Sequence, residues 1–183
     1  MRPLLILDID ETLIHGREEP LERECEFRAG QFYIYLRPSV HDFLIAVSDF
    51  YDVAVWSSAS IDYLEVIVGE LSSSLPNGLL FVWDRSRCTR RFDFVNQDEY
   101  FVKDLKKVKS QGFDLKQVLI LEDEPRKVQR NFGNAIYVKA FVGDLEDDEL
   151  PKLANYLKSI HAFPNFRLVE KRNWRVSAEA LDN

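Results

Sequence analysis

The residues of this chain that could do chemistry first appear at the end of an apolar run. Leu4 to Leu7 are all apolar, and Asp8, Asp10 and Thr12 follow at alternate positions. In extended backbone, residues i and i+2 point to the same side, roughly 6.5–7 Å apart. The two carboxylates could therefore share a metal ion or flank one reacting group, or they could be loop acids without a joint role.

Two further apolar runs also end in polar side chains. One run precedes Ser57, and the other precedes Glu122 and Asp123. Unbroken apolar runs are typical of strands buried on both faces of a parallel sheet, and the carboxyl ends of such strands meet at one edge. With Lys103 available, this edge suits a charged substrate. Carboxylates without histidine or cysteine partners favour a hard cation, Mg²⁺ before Zn²⁺.

Strand and helix patterns alternate along the chain, which predicts an α/β fold with a doubly wound, mostly parallel sheet and helices on both faces. Ser39 and Ser60 precede runs with helical apolar spacing and suit the first turn of a helix. The predicted strands are 4–7, 52–56, 79–83, 118–121 and 135–138, and the predicted helices are 40–47, 61–71, 103–109 and 150–160.

The remaining segments set the predicted domain organisation. Residues 17–36 predict a small insertion with a β-hairpin above the site, and residues 92–100 predict a loop. No large cap domain is evident. Residues 1–161 are predicted to form one domain, and residues 162–183 are predicted to form a C-terminal surface extension of strand or loop with a frayed end.

Composition narrows the class of protein. The 183 residues carry a net charge of −7 with a pI near 5.1, which argues against a nucleic-acid or anionic-membrane binder. Cys25 and Cys88 have no metal-ligand spacing and predict reduced thiols. The first apolar segment is too short for a signal peptide, and no run approaches the length needed to span a membrane. A cytoplasmic protein is the expectation.

Four ordered motifs give the sequence a family resemblance. The segments beginning at Asp8 (DIDETL), Val55 (VWSSA), Lys103 (KDL) and Leu119 (LILEDEP) resemble the motifs of haloacid dehalogenase superfamily phosphatases. Within that superfamily they look most like the small phosphatases of the RNA polymerase II C-terminal domain, the branch that resembles NLI-interacting factor. Arg37-Pro38 supports this branch. The match covers about residues 4–161 and implies a Rossmann-like haloacid dehalogenase fold.

The resemblance implies a role for each matching residue. Asp8 would attack phosphorus, Asp10 would act as general acid and base, and Lys103 would hold the nucleophile and the phosphate. Mg²⁺ would be bound by Asp8, by the backbone carbonyl of Asp10 and by Asp123. Ser57 would hydrogen-bond a phosphoryl oxygen. Without a catalytic role, Ser57 would be a helix-capping hydroxyl and Lys103 would be a surface lysine.

The motifs also suggest supporting and substrate-binding residues. Thr12 would brace the turn after Asp10, and Glu122 stands where the polymerase-phosphatase branch usually has aspartate. Four arginines lie between residues 85 and 91 and form either a solvated loop or an anion-binding one. The family's basic residue in this region suggests Arg90 or Arg91 as a substrate contact, and which of Arg85, Arg87, Arg90 and Arg91 faces the pocket is left open.

The sequence thus predicts a Mg²⁺-dependent phosphomonoester hydrolase with an aspartyl-phosphate intermediate. The absence of an evident large cap favours phosphoserine or phosphothreonine on a protein segment as the substrate. One alternative is a small-molecule phosphatase in which the arginine loop selects an anionic phosphomonoester. The other is a catalytically inactive binding module of the same fold, against which the intact Asp8, Asp10, Lys103 and Asp123 argue.

Overall fold

The structure is a computed structural model that describes residues 2–131 and 133–180. Within these residues we number the strands β1 (Leu4–Leu7), β2 (Ile14–Arg17), β3 (Phe27–Ala29), β4 (Phe32–Leu36), β5 (Asp52–Trp56), β6 (Val82–Trp83), β7 (Thr89–Asp93), β8 (Asp98–Val102), β9 (Val118–Glu122) and β10 (Ala135–Tyr137). The α-helices are α1 (Val40–Ser48), α2 (Ile61–Leu71), α3 (Lys106–Lys109), α4 (Glu149–Ile160) and α5 (Trp174–Glu179).

The central sheet has the strand order β10-β9-β1-β5-β6, and every pair in it is parallel. From β1 the chain first builds outward through β5 and β6, and it then returns to the other side of β1 to form β9 and β10. The direction of winding therefore reverses between β1 and β9. Open α/β sheets bind their ligands at the carboxyl ends of the strands beside such a reversal.

Both faces of the central sheet are covered, as the sequence predicted. Alternate residues of β1 point to opposite faces, so Leu5 and Leu7 pack with the core side of α1, α2 and α4. Leu4 and Ile6 pack on the other face, with Val108 of α3. Burial on both sides explains why β1 and β9 are almost wholly apolar until their carboxylates begin.

The insertion above the sheet is a small antiparallel sheet rather than a lone hairpin. Strands β3 and β4 form the predicted hairpin, with Gly30 in the left-handed region at φ 59° in the turn, and β2 adds a third strand alongside β4. The described residues contain no large cap domain. This agrees with the prediction from sequence.

Two predictions about strands and loops are corrected by the structure. Within residues 92–100 only 94–97 form a turn, because β7 and β8 pair antiparallel from Thr89 opposite Val102 to Asp93 opposite Asp98. The hairpin is hidden in the sequence because its strands mix charged and aromatic residues and bury few of them. The predicted strand 79–83 is reduced to the last two residues, Val82 and Trp83.

Helix starts also differ from the sequence predictions. The helix expected from Lys103 begins only at Lys106, so Lys103 lies in the connection that follows β8. Ser39 and Ser60 do stand at the starts of α1 and α2, but neither side chain makes a capping hydrogen bond. Ser39 instead adopts φ 62°, a left-handed backbone conformation.

The segment after residue 161 is not a surface extension over its described part. Phe166 and Trp174 are 0% and 1% exposed, and the Trp174 indole N–H donates to the carbonyl of Tyr137 at 2.9 Å. These aromatic side chains fill the core beside α4, which is why the segment is held down. The division of the chain at residue 161 stays a prediction, and so does the frayed end of the 162–183 segment, because residues 181–183 lie outside the described residues.

Candidate active site

The carboxyl edge of the central sheet gathers the side chains singled out by the motifs. Asp8 follows β1, Ser57 follows β5, and Glu122 ends β9 with Asp123 next to it. Lys103 reaches the same place from the end of β8, where its backbone N–H donates to the carbonyl of Lys127 at 2.7 Å. Elements far apart in the chain thus meet at the point where the winding of the sheet reverses.

Asp8 is 1% exposed, and its two carboxylate oxygens have different surroundings. Oδ1 accepts a hydrogen bond from Lys103 Nζ at 2.5 Å. Oδ2 is buried and has no hydrogen-bond partner among the described residues. Burial raises the pKa of Asp8 to about 6, with the charge of Glu122 adding to the rise and Lys103 and Lys127 opposing it. Because this pKa lies below 7, the carboxylate is still mostly ionised at neutral pH, and one of its oxygens has no hydrogen bond among the described residues.

Lys103 bridges two carboxylates inside the protein. Its ammonium donates to Asp8 and, at 2.6 Å, to Glu122 Oε2, and its side chain is fully buried. Burial lowers the pKa of Lys103, but the charges of Asp8 and Glu122 outweigh it, so the pKa is raised overall. Lys103 is therefore a buried cation rather than a surface lysine, and Glu122 fixes the position of its ammonium.

Asp10 is held by hydroxyl groups instead of an ammonium. Tyr63 Oη donates to Asp10 Oδ1 at 2.8 Å, and Ser57 Oγ lies 3.5 Å from Oδ2. Burial and then the charge of Asp8 raise the pKa of Asp10, while the hydrogen bond from Tyr63 lowers it. A raised pKa suits a group that holds a proton for part of a reaction cycle.

The expected role of Ser57 in binding phosphate stays a prediction, whereas the expected role of Thr12 is wrong. Ser57 Oγ accepts the backbone N–H of Ala59 at 3.0 Å, so the same hydroxyl organises the turn after β5 and faces Asp10. The Thr12 hydroxyl does not brace the turn: it is buried and has no hydrogen-bond partner among the described residues. Backbone bonds to the Ile9 carbonyl form that turn instead, including one of 2.8 Å from the N–H of Leu13.

A divalent cation fits the acids at this edge. One carboxylate oxygen each from Asp8, Glu122 and Asp123 can be chosen so that all lie within 4.8 Å of one another. Asp8 Oδ2 and Asp123 Oδ1 are both buried without a hydrogen bond among the described residues. Unpaired buried carboxylate oxygens are costly unless a cation neutralises them, and an all-oxygen set suits Mg²⁺.

Two residues of the site were missed from the sequence, Lys127 and Tyr63. Lys127 Nζ lies 3.4 Å from Glu122 Oε1 and 3.8 Å from Asp8 Oδ2. A usable signal was its position four residues after Asp123, in a turn that begins with Pro125. For Tyr63 the signal was a phenol in the first turn of a helix that starts at the active edge of the sheet.

The arginines between residues 85 and 91 do not all lie at the site. Arg90 and Arg91 lie on exposed β7, where Arg90 pairs with Glu99. Arg85 instead lines a cavity of about 330 Å³ next to the site, and its Nε donates to the carbonyl of Ser58 at 2.6 Å. The other residues lining the cavity are Asp10, Gly16, Phe32, Ser58, Ala59, Ser60 and Tyr63. A substrate contact by Arg90 or Arg91 stays a prediction, and Arg85 joins them as a candidate.

The phosphatases of the haloacid dehalogenase superfamily are the class that this sheet and its aspartate pair define. Within the class, the chain belongs to the family of NLI interacting factor-like phosphatases, whose model matches residues 3–167. The fission yeast RNA polymerase II CTD phosphatase, solved with beryllium fluoride, has a TM-score of 0.60 and 16% identity, covering 99% of this chain and 62% of its own. That likeness supports the fold alone.

Curated relatives agree with the family assignment. A probable C-terminal domain small phosphatase of Dictyostelium discoideum is 30% identical over 179 residues, covering 92% of this chain and 55% of the relative. CTD nuclear envelope phosphatase 1 of Xenopus tropicalis is 29% identical over 188 residues, with coverages of 94% and 72%. CTD small phosphatase-like protein 2 of Dictyostelium discoideum is 29% identical, and the chain spans only 27% of its length.

The location predicted from sequence stays a prediction. The name of the Xenopus relative refers to the nuclear envelope and does not support a cytoplasmic location. Within residues 2–131 and 133–180, no helix has both the length and the apolar composition needed to cross a membrane.

Proposed function

We propose that this protein is a Mg²⁺-dependent phosphomonoester hydrolase that forms an aspartyl phosphate on Asp8. The observation that carries the proposal is the asymmetry of the Asp8 carboxylate, with Oδ1 hydrogen-bonded to Lys103 and Oδ2 buried without a hydrogen bond among the described residues. Lys103 thus orients the carboxylate through Oδ1 while Oδ2 keeps its lone pairs free of hydrogen bonds, so one oxygen could attack phosphorus while the other faced the cation.

In the first step, an Asp8 oxygen attacks phosphorus and the bond from phosphorus to the substrate oxygen breaks. Asp10 gives its proton to the departing oxygen, which leaves as an alcohol. The raised pKa of Asp10, caused by its burial and by the charge of Asp8, favours the protonated form that this step needs. Lys103 and Ser57 offer donors to the phosphoryl oxygens as charge shifts onto them.

In the second step, water attacks the phosphorus of the aspartyl phosphate. Asp10, now ionised, takes a proton from that water, and the bond between phosphorus and the Asp8 oxygen breaks. The products are inorganic phosphate and the restored carboxylate. Tyr63 keeps the Asp10 carboxylate oriented through both transfers, because its hydroxyl contacts Asp10 Oδ1 at 2.8 Å.

Asp8, Asp123 and the backbone carbonyl of Asp10 would hold the Mg²⁺, with Glu122 close enough to contribute. When bound, the cation supplies positive charge that lessens the repulsion between the Asp8 carboxylate and an anionic phosphate. Asp8 Oδ2 and Asp123 Oδ1 support this assignment, because both are buried without a hydrogen bond among the described residues.

The proposed substrate is phosphoserine or phosphothreonine in a protein segment. Two observations support it. The described residues include no large cap domain, and the chain is similar to relatives named as phosphatases of a C-terminal domain. The second candidate is a small anionic phosphomonoester, which the cavity beside Asp10 favours because Arg85 lines it. An inactive binding module is the weakest candidate, since every residue needed for the two steps is present.

Hydrolysis of an aryl phosphate tests the chemistry. The parent is expected to release phosphate only with Mg²⁺, and Asp8→Asn is expected to abolish turnover because an amide cannot replace the attacking oxygen. Asp49→Asn is the matched control, because Asp49 is exposed and lies outside the site. Turnover that survives in Asp8→Asn would exclude the covalent step, and an inactive parent would favour the binding module.

A panel of phosphopeptides and small phosphates tests the substrate class. We expect kcat/KM to be highest for a phosphoserine or phosphothreonine peptide, because an uncapped site admits an extended chain. If sugar or nucleotide phosphates react far better than every peptide, the small-molecule candidate replaces the protein one. Arg85→Gln should then raise KM more for phosphates whose leaving group is itself anionic than for an aryl phosphate whose leaving group carries no further charge.

A further inference from the structure

The ammonium of Lys127 lies among four carboxylates. Nζ is 3.4 Å from Glu122 Oε1, 3.7 Å from Asp123 Oδ1, 3.8 Å from Asp8 Oδ2 and 3.4 Å from Glu124 Oε2. The side chain is 15% exposed, so the ammonium reaches the cluster from its solvent side. These distances exceed those of strong charge-assisted hydrogen bonds, which marks a loosely held ion pair.

The main chain aims Lys127 at the acids. The residue lies in a short 3₁₀ turn, Pro125–Val128, and its carbonyl accepts the backbone N–H of Lys103 at 2.7 Å. Its own N–H donates to the Glu124 carbonyl at 3.0 Å. These backbone bonds fix the point from which the Lys127 side chain extends into the cluster.

The two lysines of the site divide the carboxylate oxygens between them. Lys103 takes Asp8 Oδ1 and Glu122 Oε2 at hydrogen-bond distance. Lys127 faces the other oxygens, including Asp8 Oδ2 and Asp123 Oδ1, which are the two without a hydrogen bond among the described residues. Asp8, Glu122 and Asp123 are also the three acids that can converge on one cation.

We propose that Lys127 is a tethered counter-cation: it neutralises the metal-binding oxygens when Mg²⁺ is absent and must withdraw for Mg²⁺ to bind. The inference rests on the proposed Mg²⁺ site. An ammonium and a dication repel each other strongly at such separations, so they cannot share the same oxygens. Lys127 thereby stabilises the metal-free protein and weakens its affinity for Mg²⁺.

Glu124 gives the withdrawn ammonium a place to go. Its side chain is 30% exposed, and its Oε2 is already within 3.4 Å of Lys127 Nζ. A short movement toward Glu124 would free Asp8 and Asp123 without stranding the ammonium. The exchange is thus between two paired states of Lys127, and it requires no rearrangement of the sheet.

Isothermal titration of Mg²⁺ into the full chain tests the proposal. Lys127→Met keeps the length of the stem but removes the charge, and it is expected to lower the Kd for Mg²⁺ by about tenfold or more. It should also lower the Tm in EDTA and enlarge the rise in Tm caused by Mg²⁺. Lys127→Arg should bind Mg²⁺ nearly as the parent does, and Lys116→Met, at an exposed position, should match the parent.

A Kd for Mg²⁺ that is unchanged or higher in Lys127→Met would overturn the proposal. If turnover fell while the Kd stayed constant, Lys127 would instead act on the phosphate, which also overturns it. Failure of the Mg²⁺ site itself is distinguishable: neither the parent nor Lys127→Met would then bind Mg²⁺, and Asp123→Asn would change nothing.

A second measurement uses the parent alone and is independent of whether the variant folds. Acetic anhydride modifies accessible lysines, and mass spectrometry gives the rate at each position. Lys127 should be acetylated faster with Mg²⁺ present than in EDTA, because the cation displaces it from the carboxylates. Exposed Lys116 should react equally in both. Slower or unchanged acetylation of Lys127 with Mg²⁺ would contradict the exchange.

Discussion

Asp8 and Asp10 are two residues apart, yet their side chains lie in different chemical surroundings. Asp8 is bonded to the ammonium of Lys103, and Asp10 is bonded to the hydroxyl of Tyr63. Burial raises the pKa of both carboxyls, and the charge of Asp8 raises that of Asp10 further. An ionised Asp8 thus opposes loss of the proton from Asp10, and this direction agrees with the division of roles that the proposed mechanism requires.

The hydrogen bond from Tyr63 to Asp10 should matter most when the leaving group needs a proton. Tyr63→Phe removes a bond to a charged group, worth about 1.5–3 kcal/mol, so kcat/KM should fall by about 10-fold to 100-fold for an alkyl phosphate. For p-nitrophenyl phosphate the loss should be smaller, because that phenolate leaves with little protonation. Steady-state kinetics with both substrates measures the difference.

The matched control for this change is Tyr33→Phe. Tyr33 lies in the insertion, where its hydroxyl is 3.5 Å from the Arg28 guanidinium. Its loss should leave kcat/KM unchanged for both substrates. Equal losses for alkyl and aryl substrates in Tyr63→Phe would mean that Tyr63 does not act through the proton held by Asp10.

At the scale of elements, one buried arginine joins the loop of the site to the segment before α4. Arg37 follows β4, is fully buried, and donates to the carbonyls of Thr12 and Lys139, each at 2.9 Å. Its guanidinium also forms a two-pronged bond with Asp147, at 2.7 and 2.8 Å. The turn after Asp10 is thus fixed to the body of the fold.

Removing the charge of Asp147 should destabilise the fold. Asp147→Asn leaves the Arg37 charge buried without its counterion, so we expect a loss of about 3 kcal/mol or more in the free energy of unfolding at neutral pH. Denaturant titration measures it. Asp148→Asn is the control, because Asp148 is 70% exposed and its pair with Lys152 contributes about 1 kcal/mol or less.

The ion pair between Arg37 and Asp147 also predicts that the free energy of unfolding depends on pH. Burial raises the pKa of Asp147, but the hydrogen bond and charge of Arg37 outweigh it, so the folded-state pKa is lowered. Its stabilisation is complete above the unfolded pKa of about 3.9 and is lost as the pH falls through the folded value. The difference between parent and Asp147→Asn should therefore shrink below about pH 4. A difference that stays constant down to pH 2 would exclude the ion pair as its cause.

Elements with a strong apolar pattern could be predicted from the sequence, and others could not. Strands β1, β5 and β9 are buried on both faces, so they appear as unbroken apolar runs that end at the site. Hairpin β7–β8 is largely exposed and carries no such pattern. The motifs named Asp8, Asp10 and Lys103, whereas Tyr63 and Lys127 reach the site through helix and turn geometry that spacing alone does not encode.

At the scale of the whole molecule, the C-terminal segment completes the larger core. Phe166, Trp174 and Ala178 are all buried in the same core as the α4 residues Leu153 and Leu157. The Trp174 indole also bonds to the carbonyl of the last residue of β10. Edge strand β10 is thereby covered on one side, although sparse apolar spacing in the sequence suggested a surface position.

Replacing Trp174 tests whether this segment belongs to the cooperative unit. Trp174→Ala removes a fully buried indole and leaves the Tyr137 carbonyl without that donor, so the free energy of unfolding should fall by about 3–5 kcal/mol. Val176→Ala, on the same helix but 68% exposed, should change it by less than about 0.5 kcal/mol. Both are measured by denaturant titration followed by far-UV circular dichroism.

A single transition displaced to lower denaturant in Trp174→Ala indicates one core from β1 to α5. A small early transition with the main one unmoved would mean that α5 docks separately, and the fold that positions Asp8 would then be complete without it.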